Sequence, residues 1–536
     1  MFQTSDIGRP PSTTSDDQAR DSVGRLSTVG WLALVGLVAF LLCAPFFRFL
    51  FYLGDEGVPL RGAELLLRGQ RLYADFFEFL PPGAFVVTAA WFSVAGVSFG
   101  AARSLAIITF VGIACFTYLS CRQASRNAAL SALLVVCWLT LSLWPWMQIS
   151  HHWFATLVSV VAAWAAFVSL DEPERRLRWP LISGAAAGAA AMFVPHAGAL
   201  IVLAALTAFL KVRQQNWAQL LAYLFGCALA PALVFAYLFE QHTLFAAFDD
   251  VILYTATHYI SIQKVPFGFG ASTIDLPLKY VFGLAALLTL IVCAVDWPAW
   301  FSDRRLRLCS ALALAGFLGC FPRADIWRIS FAAPLALPLL AFCMTRLTQS
   351  WRPAYRYAAA AALIALCLPS FRIVQGRARQ LLATETVSTP RGGVRPFDQF
   401  TAQRGLSELR AAIAATPPGD AYFFYPYDAM LPFLTGREQV SRYDIFVPEY
   451  TTAAQYQEAC RSVIRDASWV VVDRYWTNYN AWKNAFPSML DAKPRETARF
   501  EQALDSTFEL IRNTGTFELR RRRQGVSDSV CDGIVG

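Results

Sequence analysis

The sequence predicts an α-helical polytopic membrane protein of about eleven spans, followed by a water-soluble α/β domain on the outer side of the membrane. Three observations point there. Only 16% of the 536 residues are charged and 56% are hydrophobic, with a mean hydropathy of +0.42; a soluble chain has about a quarter of its residues charged. From Val29 to Arg372, apolar runs alternate with short basic loops, and the runs are about 20 residues long, the length of helix that matches a hydrocarbon core of about 30 Å. Beyond Arg372, charge, proline and glycine return. Only helices satisfy their backbone polar groups within one segment in lipid, so the apolar runs are read as helices.

Residues 1–28, rich in Ser, Thr, Asp and Arg, read as a disordered cytoplasmic tail, and no cleavable signal peptide is recognised in them. The transmembrane domain is expected over 29–372, with spans at 29–52, 104–120, 128–146, 152–170, 179–195, 197–212, 217–239, 278–297, 306–321, 327–346 and 355–372. The loops fix the orientation. One set holds Arg122, Arg126, Arg175, Arg176, Arg178, Lys211, Arg213, Arg304, Arg305, Arg307, Arg346, Arg352 and Arg356; the alternating set, with its span edges, holds only Lys264, Lys279, Arg323 and Arg328. The excess of Lys and Arg makes the first set cytoplasmic. The N-terminal tail, with Arg9, Arg20 and Arg25, joins that side only if the apolar stretch 82–100 does not cross. That stretch is then a re-entrant or interfacial helix in a long outer loop, 53–103. The rival is twelve spans with the tail outside.

The net charge of +8 invites a nucleic-acid partner, but the cations sit in loops between apolar runs, as membrane orientation requires, so nucleic acid is excluded. Most of the cysteines lie inside apolar runs and read as small hydrophobes; only Cys460 and Cys531 fall in the soluble part. Residues 373–395 read as a linker, 396–523 as an α/β domain and 524–536 as a flexible tail. Helical patterns at 405–415 and 452–465 alternate with buried strands at 421–425 and 468–473, and 508–511 with 517–520 suggest a terminal hairpin. There is no phosphate-binding glycine loop and no nucleophile elbow.

The first outer loop, GDEGVPLRGAELLLRGQRLYADFFEFLPPG over 54–83, carries the informative acids: Asp55, Glu56, Asp75 and Glu78, the last two set among Tyr73, Phe76, Phe77 and Phe79. Carboxylates partly desolvated at a membrane face become more basic, and can take a proton from a hydroxyl or hold a divalent cation. Equally, they can flank one helix end and cap the next.

The pattern Asp55-Glu56-Gly57, Ala63, Leu65-Leu66, Gly69, Leu72-Tyr73, Asp75-Phe76-Phe77 and Pro81-Pro82-Gly83 resembles the first external loop of the C-type membrane glycosyltransferases. The likeness is greatest to the dolichyl-phosphate-mannose mannosyltransferase-like group, which includes the aminoarabinose transferases. It extends over about residues 50–105 and, beyond them, to the architecture. The resemblance implies transfer of a sugar from a polyprenyl-phosphate-linked donor to a lipid, glycan or protein acceptor on the outer face, with inversion. It implies Asp55 as the base, and juxtamembrane helices in the first loop, which agrees with a non-crossing 82–100. Asp75 and Glu78 compete for the place of a second acid; relatives carry Lys or His before the Pro-Pro pair, where this chain has Leu80. The family has members with and without a divalent metal ion.

The departing phosphate calls for cations. Arg323 and Arg328, in CFPRADIWRISFAAP at an outer helix mouth, are the foremost candidates for binding it, set against pairing of Arg323 with Asp325. Lys264, in the loop YISIQKVPFGFG, and the pair His151-His152 at the start of a helix are further candidates. Competing functions are a non-catalytic envelope-assembly protein and a lipid or sugar transporter. The high Ala, Leu and Arg usage suggests a GC-rich bacterial genome and hence an inner-membrane location.

Overall fold

The computed structural model describes residues 15–51, 53–142, 147–171, 177–210, 216–297, 303–396, 405–525 and 528–534, with side chains from Thr28 onward. Five helices are long and apolar enough to cross a membrane: the apolar part of the first helix with the turn after it, Thr28–Phe46, and then Phe99–Ser125, His151–Asp171, Trp217–Glu240 and Pro353–Ala383. Two bent pairs, Thr273–Lys279 with Val281–Val295 and Ile326–Leu335 with Leu337–Thr348, bring the number to as many as seven. The other expected spans fall on Ala128–Ser142, Arg178–Ala191, Pro195–Leu206 and Arg304–Gly319, of 12 to 16 residues. At 1.5 Å per residue these reach only about 18–24 Å, so length and composition give five to seven crossings where the sequence suggested eleven. The chain is a multi-pass membrane protein on either count.

The stretch 82–100 forms a helix, Gly83–Ala95, of 13 residues, short of a crossing. It ends at Gly96, and Ser98 caps the next helix by accepting from the Ala101 N–H at 3.1 Å. The helices pack through small residues, as is usual where lipid supplies no hydrophobic drive. Arg178–Ala191 and Trp217–Glu240 touch backbone to backbone: a Cβ on Gly184 would meet the Tyr223 carbonyl oxygen at 2.0 Å, and one on Gly188 the Cys227 carbonyl oxygen at 2.1 Å. The far side of Trp217–Glu240 exposes Leu221, Phe225, Leu233 and Phe239, the face a bilayer would cover.

Several boundaries differ from expectation. The first helix begins at Ser15, so 15–28 is helical; 1–14 lie outside the described residues. The segment read as a linker, 373–395, continues the helix Pro353–Ala383 and then forms a hairpin. Its strands, Val387–Thr389 and Gly392–Pro396, are joined by the latter to Phe49–Leu50, paired in parallel just after the first helix. The last residues are not loose: Cys531 is bonded to Cys460, and Ile534 is buried.

The C-terminal domain is α/β. Its sheet runs in the order Tyr422–Tyr425, Trp469–Asp473, Phe517–Arg522, Phe508–Thr514. The first two strands are parallel, which demands a crossover; the amphipathic helix Ala453–Asp466 lies between them and buries Tyr456, Ala459, Val463 and Ile464. Thr452 and Gln455 close its N-terminus with a reciprocal capping box. The domain rests on the first outer loop through backbone bonds, Met430 N–H to the Leu53 carbonyl at 2.8 Å and Phe77 N–H to the Arg442 carbonyl at 2.9 Å.

The Cys460–Cys531 bond closes a separation of 71 residues, which in the chain-entropy picture stabilises the domain by about 4 kcal/mol. Replacing both cysteines with serine in the full chain is expected to lower the unfolding midpoint of the outer domain and to raise amide exchange in Ala453–Asp466, measured by hydrogen-exchange mass spectrometry.

Candidate functional site

Where the outer domain meets the membrane bundle, a cavity of about 370 Å³ opens. Its floor comes from the starts of two helices. Gln148, Ile149, Ser150, His151 and His152 line it at the mouth of His151–Asp171; Arg323, Asp325, Trp327 and Arg328 line it at the mouth of Ile326–Ala332. The first loop adds Asp55 and Phe79, and the segment 259–263 adds Tyr259 and Gln263. The outer domain forms the roof with Tyr427, Tyr450, Trp476, Trp482 and Phe486. Five residues singled out from the sequence, Asp55, His151, His152, Arg323 and Arg328, therefore share one cavity.

Asp55 is exposed in the cavity and accepts a hydrogen bond from the Tyr427 hydroxyl. Its neighbour Glu56, also a candidate from sequence, is committed to the fold instead. It is 1% exposed and paired with fully buried Arg103, whose Nη2 lies 2.7 Å from Oε2. The same Arg103 donates through Nε to the Phe49 carbonyl at 3.0 Å, and the Ile149 N–H donates to Glu56 Oε1 at 2.9 Å. One ion pair thus fixes the strand Phe49–Leu50, the turn bearing Asp55, and the segment leading to His151.

Asp325 organises the two arginines. It caps its helix by accepting from the Arg328 N–H at 2.9 Å, and receives Arg323 Nε at 2.6 Å and Arg328 Nη1 at 3.1 Å. Arg323 also donates to the Ala485 carbonyl at 2.8 Å and lies 4.7 Å from the Phe486 ring centre. Its Nη1 is buried without an acceptor among the described residues. Pairing with Asp325 does not exhaust the cations: two guanidinium groups on one carboxylate leave one positive charge beside the cavity that both residues line. The strand Arg323–Asp325 is held in place by parallel pairing with Val265–Phe269. The His151 and His152 rings are 4.1 Å apart, and His152 stacks on Phe331 at 4.8 Å.

The other candidates fall elsewhere. Asp75 lies outside the cavity, bonded to Arg71 Nη2 at 3.0 Å, which holds its carboxyl below the usual range. Glu78 is buried behind the aromatic wall and does not line the cavity; burial first, then Asp444 and Asp250, push its carboxyl well up. Lys264 is exposed and outside the lining. Among the described residues no three His, Cys, Asp or Glu side chains converge on a metal position, and the groups nearest Asp55 are a tyrosine and arginines.

Sequence reasoning missed the roof. Its one signal was the aromatic density of RYWTNYNAW over 474–482, which without a fold reads as core. A second, smaller cavity of about 50 Å³ shares His152, Arg328 and Phe331 with the first and is also lined by Ala155, Ala197, Ala315, Gly316 and Gly319.

No protein-family model matches the chain, and no curated protein matches it. Solved structures do. ArnT from Cupriavidus metallidurans bound to undecaprenyl phosphate matches with a TM-score of 0.54 at 13% identity, over 93% of this chain and 98% of that one. Its apo state gives 0.51 at 13%, over 94% and 99%. The Archaeoglobus fulgidus oligosaccharyltransferase tethered with an acceptor peptide gives 0.49 at 12%, over 93% and 74%. At this identity the ArnT likeness is one of fold, and the chain has the C-type glycosyltransferase fold.

Replacing Arg103 with alanine strands a buried carboxylate and is expected to cost about 3–5 kcal/mol, read as a lower unfolding midpoint in detergent; Glu56→Gln combined with Arg103→Met is expected to cost less. Glu78 gives a pH signature. Its folded carboxyl titrates above the ordinary value of about 4.3, so the neutral form's contribution is complete below that value and is lost as pH rises through the folded one. Glu78→Gln is therefore expected to be neutral at pH 4 and stabilising at pH 8, measured by thermal unfolding at both.

Proposed function

We propose that this chain, a membrane protein of C-type glycosyltransferase fold, moves a sugar from a polyprenyl-phosphate-linked donor to an acceptor on the outer face of a bacterial inner membrane, inverting the anomeric carbon. The observation that carries the reading is the meeting of Asp55 with Arg323, Arg328, His151 and His152 in one aromatic-walled cavity at two helix mouths. In the proposed step the acceptor hydroxyl gives its proton to the Asp55 carboxylate as its oxygen bonds to the anomeric carbon. The bond from that carbon to the phosphate oxygen breaks, and the phosphate leaves with the electron pair. Asp55 then returns its proton to solvent. A single displacement of this kind inverts the centre.

The guanidinium groups are suited to the phosphate. They present forked donors, and charge stabilisation at the leaving group is where a site of this kind gains most. Tyr259, Trp476 and Trp482 offer apolar faces with polar edges, which suits a sugar ring. The smaller cavity lined by Ala155, Ala197, Ala315 and Gly316 is a lateral entry for an isoprenoid chain. The acceptor is a lipid, glycan or protein reached from the aqueous side or the outer leaflet. The Cys460–Cys531 bond suits an oxidising compartment, which agrees with an outer location of the C-terminal domain.

The test is mass spectrometry of envelope glycans and glycolipids from a deletion strain complemented with wild type or with Asp55→Asn. One sugar is expected to vanish on deletion and return only with wild type, and the variant is expected to retain less than about a hundredth of the transfer rate in vitro. Full restoration by Asp55→Asn would remove the base assignment. An unchanged envelope on deletion would favour an assembly or transport role.

A further inference from the structure

Resting on the transferase reading above, one contact in the cavity points to how the site is kept closed. Tyr427 comes just after the strand Tyr422–Tyr425 of the outer domain and reaches down to Asp55, to which its hydroxyl donates. The ring is tightly located. A Cβ on Gly54 would meet its Cε1 at 2.1 Å, so the residue preceding Asp55 leaves room for this ring only by being glycine. On its other sides the ring meets Trp476 at 5.5 Å and Trp482 at 5.3 Å, both edge-on. Burial and the Asp55 charge push the phenol well above its ordinary value, so it remains a protonated donor at neutral pH.

The contact is the one the proposed reaction requires of its acceptor: a hydroxyl on a ring carbon, donating to the Asp55 carboxylate. We infer that the Tyr427 hydroxyl is a place-holder for the acceptor hydroxyl, which the acceptor must displace from Asp55 before transfer. The arrangement has a chemical use. A water held by Asp55 would give up its proton as an acceptor does, and the donor would be hydrolysed; a phenol bonded to the carboxylate takes one of the places such a water would occupy. Tyr427 cannot serve as the acceptor itself without blocking the cavity, since its ring is fixed between Gly54 and the two tryptophans.

The test uses the full chain in detergent or nanodiscs with an undecaprenyl-phosphate-linked sugar as donor. The acceptor is the host's envelope lipid and glycan fraction, and free sugar is counted as hydrolysis. Tyr427→Phe keeps the ring and removes only the hydroxyl. The expected result is a three- to tenfold fall in acceptor KM with kcat retained, the size of one hydrogen bond of about 1 kcal/mol lost from the competing state, and a rise in sugar released to water. A fall in kcat with acceptor KM unchanged would make Tyr427 a positioning residue for Asp55 and overturn the place-holder. So would no change in either quantity. Should the ring prove sensitive, Trp476→Phe, which loosens one wall and leaves the hydroxyl, is expected to raise hydrolysis in the same direction; unchanged hydrolysis would count against the inference. Wild type without transfer or hydrolysis from any donor overturns the transferase reading itself. That outcome is separate from the others, which are all read as ratios to an active wild type.

Discussion

The buried pair of Glu56 and Arg103 is the constraint on which the site depends. Both side chains are withdrawn from water, a costly step that only close pairing and full hydrogen bonding offset. Here the bonding is full in a useful direction. Arg103 reaches back to the Phe49 carbonyl in the strand that follows the first helix, and Glu56 takes the Ile149 N–H two residues before His151. Three segments remote in sequence are thereby brought to one point, with Asp55 on one side of it and the histidine pair on the other. The guanidinium of Arg103 also lies 4.2 Å from the Phe99 ring centre, so the helix that supplies it is located as well.

A second carboxylate does comparable work on the opposite wall. Asp325 is 1% exposed and is shared by its own helix N-terminus, Arg323 and Arg328. A helix N-terminus also favours negative charge, so Asp325 is held by its own helix as well as by the two arginines, which exceed it in charge by one. The geometry separates the acid expected to act as base from the acids that hold the scaffold: Asp55 is open to the cavity, while Glu56 and Asp325 are buried and saturated. Glu78 belongs to neither group. It sits with Asp444 and Asp250 behind the aromatic wall, and Asp250 is itself pushed up to about 7, chiefly by burial.

The roof explains why the outer domain is tied so closely to the bundle. Ser488 donates to the Ile262 carbonyl at 2.8 Å, Arg323 to that of Ala485, and Met430 to that of Leu53. Glu64 of the first-loop helix pairs with Arg391 of the connecting hairpin. With these contacts the cavity gains aromatic walls that the membrane helices do not themselves contribute, and the charged groups inside it interact through less water.

The membrane bundle and the α/β character of the domain beyond it were legible in the chain, because hydrophobic period and turn chemistry are local; the boundary between them was not, since the helix Pro353–Ala383 runs past Arg372. So were Asp55, Arg323, Arg328 and the histidine pair as candidates, since charge at the edge of an apolar run is conspicuous anywhere. The undecided matters were non-local. Neighbouring Asp55 and Glu56 differ in role only because Arg103, forty-seven residues away, claims one and not the other. Asp75 and Glu78 looked alike until Arg71 took the first and burial took the second. The number of crossings was another, because hydropathy registers an apolar helix without revealing its length: the described residues give five to seven by length and composition, against the eleven expected. Nothing in the chain singled out Tyr427, Trp476 and Trp482; packing of the C-terminal domain onto the first loop alone brought them to the cavity with Asp55, because which face of a small domain meets a membrane bundle is set by tertiary contacts that no local pattern encodes.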